Sequence, residues 1–185
     1  IFEKYINEQT QLALYLVVPL VMLMYVIAPQ LITLLYANTF LDVLLILQVA
    51  LSGLILKTLA WPIGFISLVK GNKKLFFKQN LLSDIINVVF SIVLTKYFGL
   101  KGLGIAFSLM FLASFCYNYY TVSKNYQFTY SKETKSTILI SISFGIIALS
   151  SFHWFDFSYK NLIILVLFFL SVLFSFFKLK KQIRR

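Results

Sequence analysis

The 185-residue chain is 60% hydrophobic and 12% charged, with a mean hydropathy of +0.87, against about 45–50% apolar and about 25% charged in a soluble domain. So few polar residues leave no means of covering a water-facing exterior, which excludes an ordinary soluble domain. The net charge of +11 does not form a nucleic-acid stripe, because the lysines sit mainly in short stretches between long apolar runs.

Residues 1–11 (IFEKYINEQTQ) are mixed in charge, lack the basic start and apolar middle of a signal peptide, and read as a cytoplasmic connector cut from a longer chain. Crossing roughly 30 Å of hydrocarbon takes about 20 apolar residues. Six runs come near that length, over 12–36, 43–69, 81–97, 103–120, 137–152 and 162–177. The last two reach it with a few interfacial residues, Trp154 and Tyr159 among them. The runs are continuous and do not alternate, so the pattern predicts helices and not barrel strands. The expected fold is an all-α integral membrane bundle over 12–177, followed by a basic cytoplasmic tail over 178–185. Pro19 and Pro29 fall inside the first run, where neighbouring helices compensate for a local kink.

Counting Lys and Arg in alternate connectors places thirteen on one side (Lys4; Lys70, Lys73, Lys74 and Lys78; Lys124, Lys132 and Lys135; Lys178, Lys180, Lys181, Arg184 and Arg185) and three on the other (Lys96, Lys101 and Lys160). That bias predicts both ends on the cytoplasmic side.

Lys57 completes the 17 basic residues and lies near the middle of the second run, where a lysine costs about 2.5–3.5 kcal/mol. On a helical wheel Gly53, Lys57, Ala60 and Gly64 share a face, a small-residue strip that leaves space for a ligand or for a close helix. Trp61 lies one turn on. Lys57 is therefore a candidate to line a polar cavity and meet an anionic group. The alternatives are a lysine paired with an acid on helices outside this sequence, or one snorkelling along a tilted helix.

Asn80, Asp84, Asn87, Ser91 and Thr95 form one polar stripe on the third run, pointing to a bundle interior or an aqueous path. Asp84 has a plainer reading as an interfacial acid near Lys78 or Lys74, and neutralisation of Lys57 is a third. The stretch KGNKKLFFK (Lys70, Lys73, Lys74, Lys78) suits anionic membrane lipid at about 1 kcal/mol per basic residue. Collection of a phosphorylated substrate is the other reading.

Gly99, Gly102 and Gly104 read as a tight turn opening the fourth run. His153, beside Trp154 and near Asp156, reads as an aromatic-belt neighbour, and the single Cys116 has no intrachain partner. The sequence carries no HExxH, GxxxxGK[ST] or GxSxG motif, so neither an enzyme activity nor a cofactor or metal is expected.

Three stretches occur in an order that resembles the carboxy-terminal half of bacterial O-antigen and lipid-linked oligosaccharide flippases. These flippases form the polysaccharide branch of the superfamily that also holds multidrug and toxic-compound extruders. The stretches are Pro19 with APQLITLLYANTF (Ala28 to Phe40), WPIGFISLVKGNKK (Trp61 to Lys74), and NLLSDIINVVFSIVLTKYFGLKGLGIAF (Asn80 to Phe107), over half of the chain together. The position after LLY that is usually glycine is Ala37 or Asn38 here.

The resemblance implies two helical bundles around a central cavity, with this chain supplying most of the second and an amino-terminal bundle as its partner. It implies passage of undecaprenyl-pyrophosphate-linked oligosaccharide across the bacterial inner membrane by ion-driven alternating access. Lys57, Trp61, Asp84, Asn87 and Ser91 are then the cavity candidates, and Lys70, Lys73, Lys74 and Lys78 the headgroup-collecting ones. A cation-coupled multidrug or small-solute antiporter of the same superfamily is the alternative, and a non-transporting membrane scaffold the third. The mid-run lysine, where a carboxylate would suit cationic drugs, favours the flippase; the polar stripe speaks against the scaffold.

Overall fold

The computed structural model describes residues 2–35, 43–154 and 157–183, and among them every regular element is an α-helix. The helices are α1 (Phe2–Leu35), α2 (Val43–Val69), α3 (Lys73–Phe98), α4 (Lys101–Tyr126), α5 (Lys132–Trp154) and α6 (Phe157–Ile183). All six are long and apolar enough to cross a membrane. Ala37, Asn38 and Asp156 lie outside the described residues, as does the side chain of His153.

Each expected span has its helix, but the helices outrun the apolar runs. The stretch expected to be a connector, from Phe2 onward, is the beginning of α1. It contains no Gly or Pro, carries Glu3 in its first turn and pairs Lys4 with Glu8 at 3.8 Å across one turn. Such exposed pairs contribute only about 0.2–0.5 kcal/mol. Burial holds the segment more firmly. Ile6, Asn7 and Thr10 are covered, and Asn7 Oδ1 accepts from the Ser131 backbone N–H at 2.8 Å while Gln11 Nε2 donates to Thr134 Oγ1 at 2.7 Å.

α3 likewise starts at Lys73, eight residues before its apolar run. Asn72 caps it by accepting from the Leu75 N–H at 3.0 Å, and Gly71 at φ +76° provides the left-handed residue that ends α2. Gly99, at φ +60°, makes the turn from α3 to α4. Between α4 and α5, Gln127 in the left-handed region donates its N–H to the Ser123 carbonyl, and the buried Phe128 and Tyr130 plug the end of the bundle.

α2 and α4 form the closest pair. A Cβ on Gly53 would lie 2.7 Å from Ser108 Oγ and one on Gly104 2.6 Å from the Ile46 carbonyl oxygen, so the two backbones meet through glycine from both sides. Ser108 Oγ donates to the Val49 carbonyl at 2.8 Å across the same seam. α1 packs on the other flank of α2, where the Tyr25 hydroxyl donates to the Gln48 carbonyl, and α5 and α6 close around α1. Tyr15 of α1 reaches both, its hydroxyl 3.2 Å from Thr137 Oγ1 and its ring edge-on to Phe174 at 5.8 Å. α3 stands outermost, in contact with α4 and with α2, and Gln79 is its one buried residue among those described.

The glycine seam gives a direct test. In Gly104→Ala the new methyl meets a backbone carbonyl that has no freedom to swing aside, whereas in Gly145→Ala it meets side chains alone, the flexible end of Ile55 at 3.1 Å and Ser52 Cβ at 3.8 Å. The first substitution is expected to cost about 1–3 kcal/mol and the second much less, read as melting temperature in detergent. Equal losses would refute the close approach of the α2 backbone at Gly104.

Candidate functional site

Lys57 is the fifteenth of the 27 residues of α2, so the helix itself places it at mid-length. Its side chain is half-buried. Nζ lies 4.7 Å from the centroid of the Trp61 ring, one turn on, and 5.5 Å from that of Phe111 on α4. Among the described residues no carboxylate lies within 4.0 Å of it. The cation is thus held by two aromatic faces, an interaction that contributes about 0.5–1 kcal/mol at an exposed site and about 2 when desolvated.

Two clefts meet at this side chain. One, of about 460 Å³, opens between α1 and α2; its walls are mainly apolar, from Ala13, Val17, Leu20 and Met24 across to Leu51 and Leu54, with Gln9, Lys57 and Thr58 as its polar members. The other, of about 400 Å³, lies at the junction of α2, α3 and α4 and is lined by Lys57, Ala60, Trp61, Gly64, Phe65, Phe76, Gln79, Asn80, Ser83, Asp84, Met110, Phe111, Ser114 and Asn118. Lys57, Trp61 and Phe65 belong to both and form the partition between them.

The strip Gly53, Ala60 and Gly64, for which either a ligand or a close helix remained open, turns to α4. Gly53 meets Ser108, the Ala60 carbonyl accepts from Asn118 Nδ2 at 3.4 Å, and a Cβ on Gly64 would lie 3.1 Å from that nitrogen. Only beside Ala60 and Gly64 does the seam widen into the second cleft.

Of the candidates named from the sequence, Lys57, Trp61 and Asp84 come together in that cleft, with no ion pair joining the lysine to the acid. Asp84 is exposed, and no ion pair joins it to Lys78 or Lys74 either. Asn87 and Ser91 lie further along α3, half-buried, and do not line the cleft. Lys70, Lys73, Lys74 and Lys78 are exposed at the turn from α2 into α3, and Lys70 Nζ sits 4.7 Å from the centroid of the Phe2 ring.

The face by which α3 docks is one residue away from the stripe seen in the sequence. Gln79 Nε2 donates to Thr121 Oγ1 at 2.9 Å, and Ser114 Oγ donates to Ser83 Oγ at 2.8 Å. Asn80 and Asp84, about 100° further round the helix, face the opening. Sequence reasoning missed the α4 side, Ser114, Asn118 and Thr121. Their spacing of four and three is a polar helical stripe, but it is submerged in the aromatic run from Phe111 to Tyr120.

The arrangement offers a cation at mid-helix, a carboxylate at the mouth, neutral polar groups on the wall against α4 and aromatic faces between. Such a surface suits a ligand with one anionic and one hydroxyl- or amide-bearing part. In comparisons with known proteins the chain matches no family model, no curated protein and no solved structure.

Because no acid among the described residues pairs with it, Lys57→Met is expected to leave the melting temperature of the purified protein unchanged or slightly raised. A loss equivalent to about 3–5 kcal/mol, the cost of breaking a buried ion pair, would reveal a partner and remove Lys57 from the candidate site.

Proposed function

We propose that this chain is one helical bundle of a bacterial inner-membrane flippase that moves a lipid-linked, pyrophosphate-bearing oligosaccharide to the outer leaflet, both ends of the chain facing the cytoplasm. The observation that carries the reading is Lys57. At mid-helix in a bilayer a lysine costs about 2.5–3.5 kcal/mol, and contact with Trp61 and Phe111 recovers about 0.5–2 of that. An unrecovered cost remains, with no carboxylate among the described residues within 4.0 Å to offset it, which suits a cation held for an anionic ligand. The resemblance of the stretches at 28–40, 61–74 and 80–107 to lipid-linked oligosaccharide flippases supplies the identity of that ligand.

The clefts fit the physical task. A pyrophosphate is excluded by hydrocarbon, while its polyprenyl tail remains at ease there, so a half-open cationic cleft beside an apolar one accommodates both. In this reading the open side of α1, α2 and α3 meets the amino-terminal bundle, and Lys70, Lys73, Lys74 and Lys78 gather anionic headgroups at the cytoplasmic surface. Asp84 in the same cleft favours a second reading, a cation-coupled antiporter in which the carboxylate takes the coupling ion or a cationic solute.

The topology is tested by single cysteines, Lys73→Cys, Lys101→Cys, Lys160→Cys and Arg185→Cys, in a Cys116→Ser background. Positions 73 and 185 are expected to react from the cytoplasmic side and 101 and 160 from the opposite side. Labelling of 73 and 101 from one side would end the six-crossing arrangement.

The function is tested by rescue of surface-glycan assembly in a strain lacking the transporter, at matched membrane expression. Lys57→Ala is expected to lose most of the activity, about tenfold or more, and Lys57→Arg to retain part of it, because guanidinium binds phosphate with different geometry and bulk. Asp84→Asn, if it abolishes rescue while Lys57→Ala does not, favours the antiporter. Full rescue by Lys57→Ala overturns the headgroup role.

A further inference from the structure

The wall of the α2–α3–α4 cleft holds an unmet demand of opposite sense to that of Lys57. Gln79, 2% exposed, and Asn118, 7% exposed, both line the cleft, and the carboxamide oxygen of each has no donor. Their neighbours fix which end of each amide is open. Thr121 gives its hydroxyl hydrogen to the carbonyl of Tyr117 or Asn118. Toward Gln79 it therefore only accepts, which sets Gln79 Nε2 against it at 2.9 Å and leaves Oε1 as the open atom. The Ala60 carbonyl also only accepts, from Asn118 Nδ2 at 3.4 Å, leaving Asn118 Oδ1 open. Both open atoms are acceptors, and neither has access to water in this conformation.

Two buried acceptors without donors are unfavourable, and groups of this kind are satisfied in nearly all proteins. An anion would be repelled by them. An alkali cation at these two oxygens would share the cleft with the Lys57 ammonium, while Asp84, the carboxylate that lines it, stands exposed at its mouth. What remains is a neutral group rich in hydroxyl donors. Phe65 and Phe76, ring centroids 5.9 Å apart, both line the cleft and offer an apolar surface to the C–H face of a ring.

We propose that this cleft binds a sugar ring, or a polyol of like shape, whose hydroxyls donate to Gln79 Oε1 and Asn118 Oδ1 after a small turn of each carboxamide into the cleft. This rests on the reading of the cleft as the substrate's. It extends that reading from an anion site at Lys57 to a neutral subsite on the opposite wall, about two turns along α4 from Phe111 toward its carboxy-terminal end.

The test uses the protein in lipid nanodiscs with Trp154→Phe, so that Trp61 on the cleft wall is the sole tryptophan. Emission is followed while glucose, galactose, N-acetylglucosamine, N-acetylgalactosamine, inorganic pyrophosphate or sodium chloride is added. At least one sugar is expected to give a saturable change that weakens by about fivefold or more in Gln79→Leu and in Asn118→Leu, the loss of roughly one net hydrogen bond each. Thr121→Val breaks the same α3–α4 bond while keeping both acceptors, and is expected to change sugar binding by less than about twofold.

Saturation by no sugar overturns the proposal, as does an equal loss in Thr121→Val, which would make Gln79 a packing residue. A saturable response to sodium that disappears in Gln79→Leu overturns it in favour of a cation site. A pyrophosphate response lost in Lys57→Met, with no sugar response, sinks the subsite and leaves the headgroup reading standing. Sugar binding without a pyrophosphate response supports the subsite and removes the headgroup role.

Discussion

The approach of α2 to α4 across Gly53 and Gly104 sets the positions of nearly everything else. With a Cβ excluded at Gly53 by Ser108 and Phe107 and at Gly104 by the Ile46 carbonyl, the helices lie close enough for Ser108 to reach the Val49 carbonyl and Asn118 the Ala60 carbonyl. At that separation a long side chain in the seam has no room to lie flat between the helices. Lys57, four residues after Gly53 on the same face, is therefore turned along the seam toward Trp61 and Phe111. Its charge ends at the rim, where the two clefts join. Small residues are thus what make a mid-helix cation accessible from two directions.

The lysines at the helix starts carry a separate argument. Lys73 and Lys74 open α3, Lys101 opens α4 and Lys132 opens α5. Positive charge in a first turn opposes the helix macrodipole, at about 0.3–1 kcal/mol where exposed. Helix stability does not account for these lysines, although Glu3 in α1 and Glu133 in α5 do complement the dipole. In the membrane reading, attraction to an anionic cytoplasmic lipid surface accounts for Lys73, Lys74 and Lys132, which the count of alternate connectors puts on one side, whereas Lys101 falls on the other. The same lysines are strong helix formers, so they prolong the helices past the apolar runs. For that reason hydropathy alone set α3 to begin at residue 81 and not at Lys73. Hydropathy measures the thickness of the apolar slab, whereas the helix ends where Asn72 and Gly71 cap and turn the chain.

The count and order of the helices were legible because continuous apolar runs of this length have no other regular structure open to them. The small-residue strip on α2 was legible too, though its partner was not: a strip of Gly and Ala announces a close approach without saying by what. For α3 the period was read correctly and the phase was not. Asn80 and Asp84 are the more polar pair, so the eye takes them for the functional face, yet Gln79 and Ser83 make the contacts to Thr121 and Ser114. A shift of one residue turns a helix by about 100°, and only the packed partner settles it. On α1, the mixed sequence EKYINEQTQ hides Ile6, Asn7 and Thr10, which are buried against a connector more than a hundred residues away. No local pattern signals such a contact.

α3 is bound differently from the other five helices, and the difference bears on the cleft. Its most apolar window has no buried residue, against 22–39% in the windows of the others. Its buried attachment is polar, Gln79 to Thr121 and Ser83 to Ser114. Where Gly102 lies against the Leu94 carbonyl, α3 is anchored closely to α4 near its carboxy-terminal end, and further back it is held by side-chain hydrogen bonds that contribute on average only about 0.6 kcal/mol between helices in lipid. Yet α3 supplies one full wall of the α2–α3–α4 cleft, including Asn80 and Asp84. The α2–α4 pair holds the cation and Asn118, and α3 carries the carboxylate and Gln79. A displacement of α3 would therefore separate the two sets of ligand-binding groups while leaving Lys57 in place.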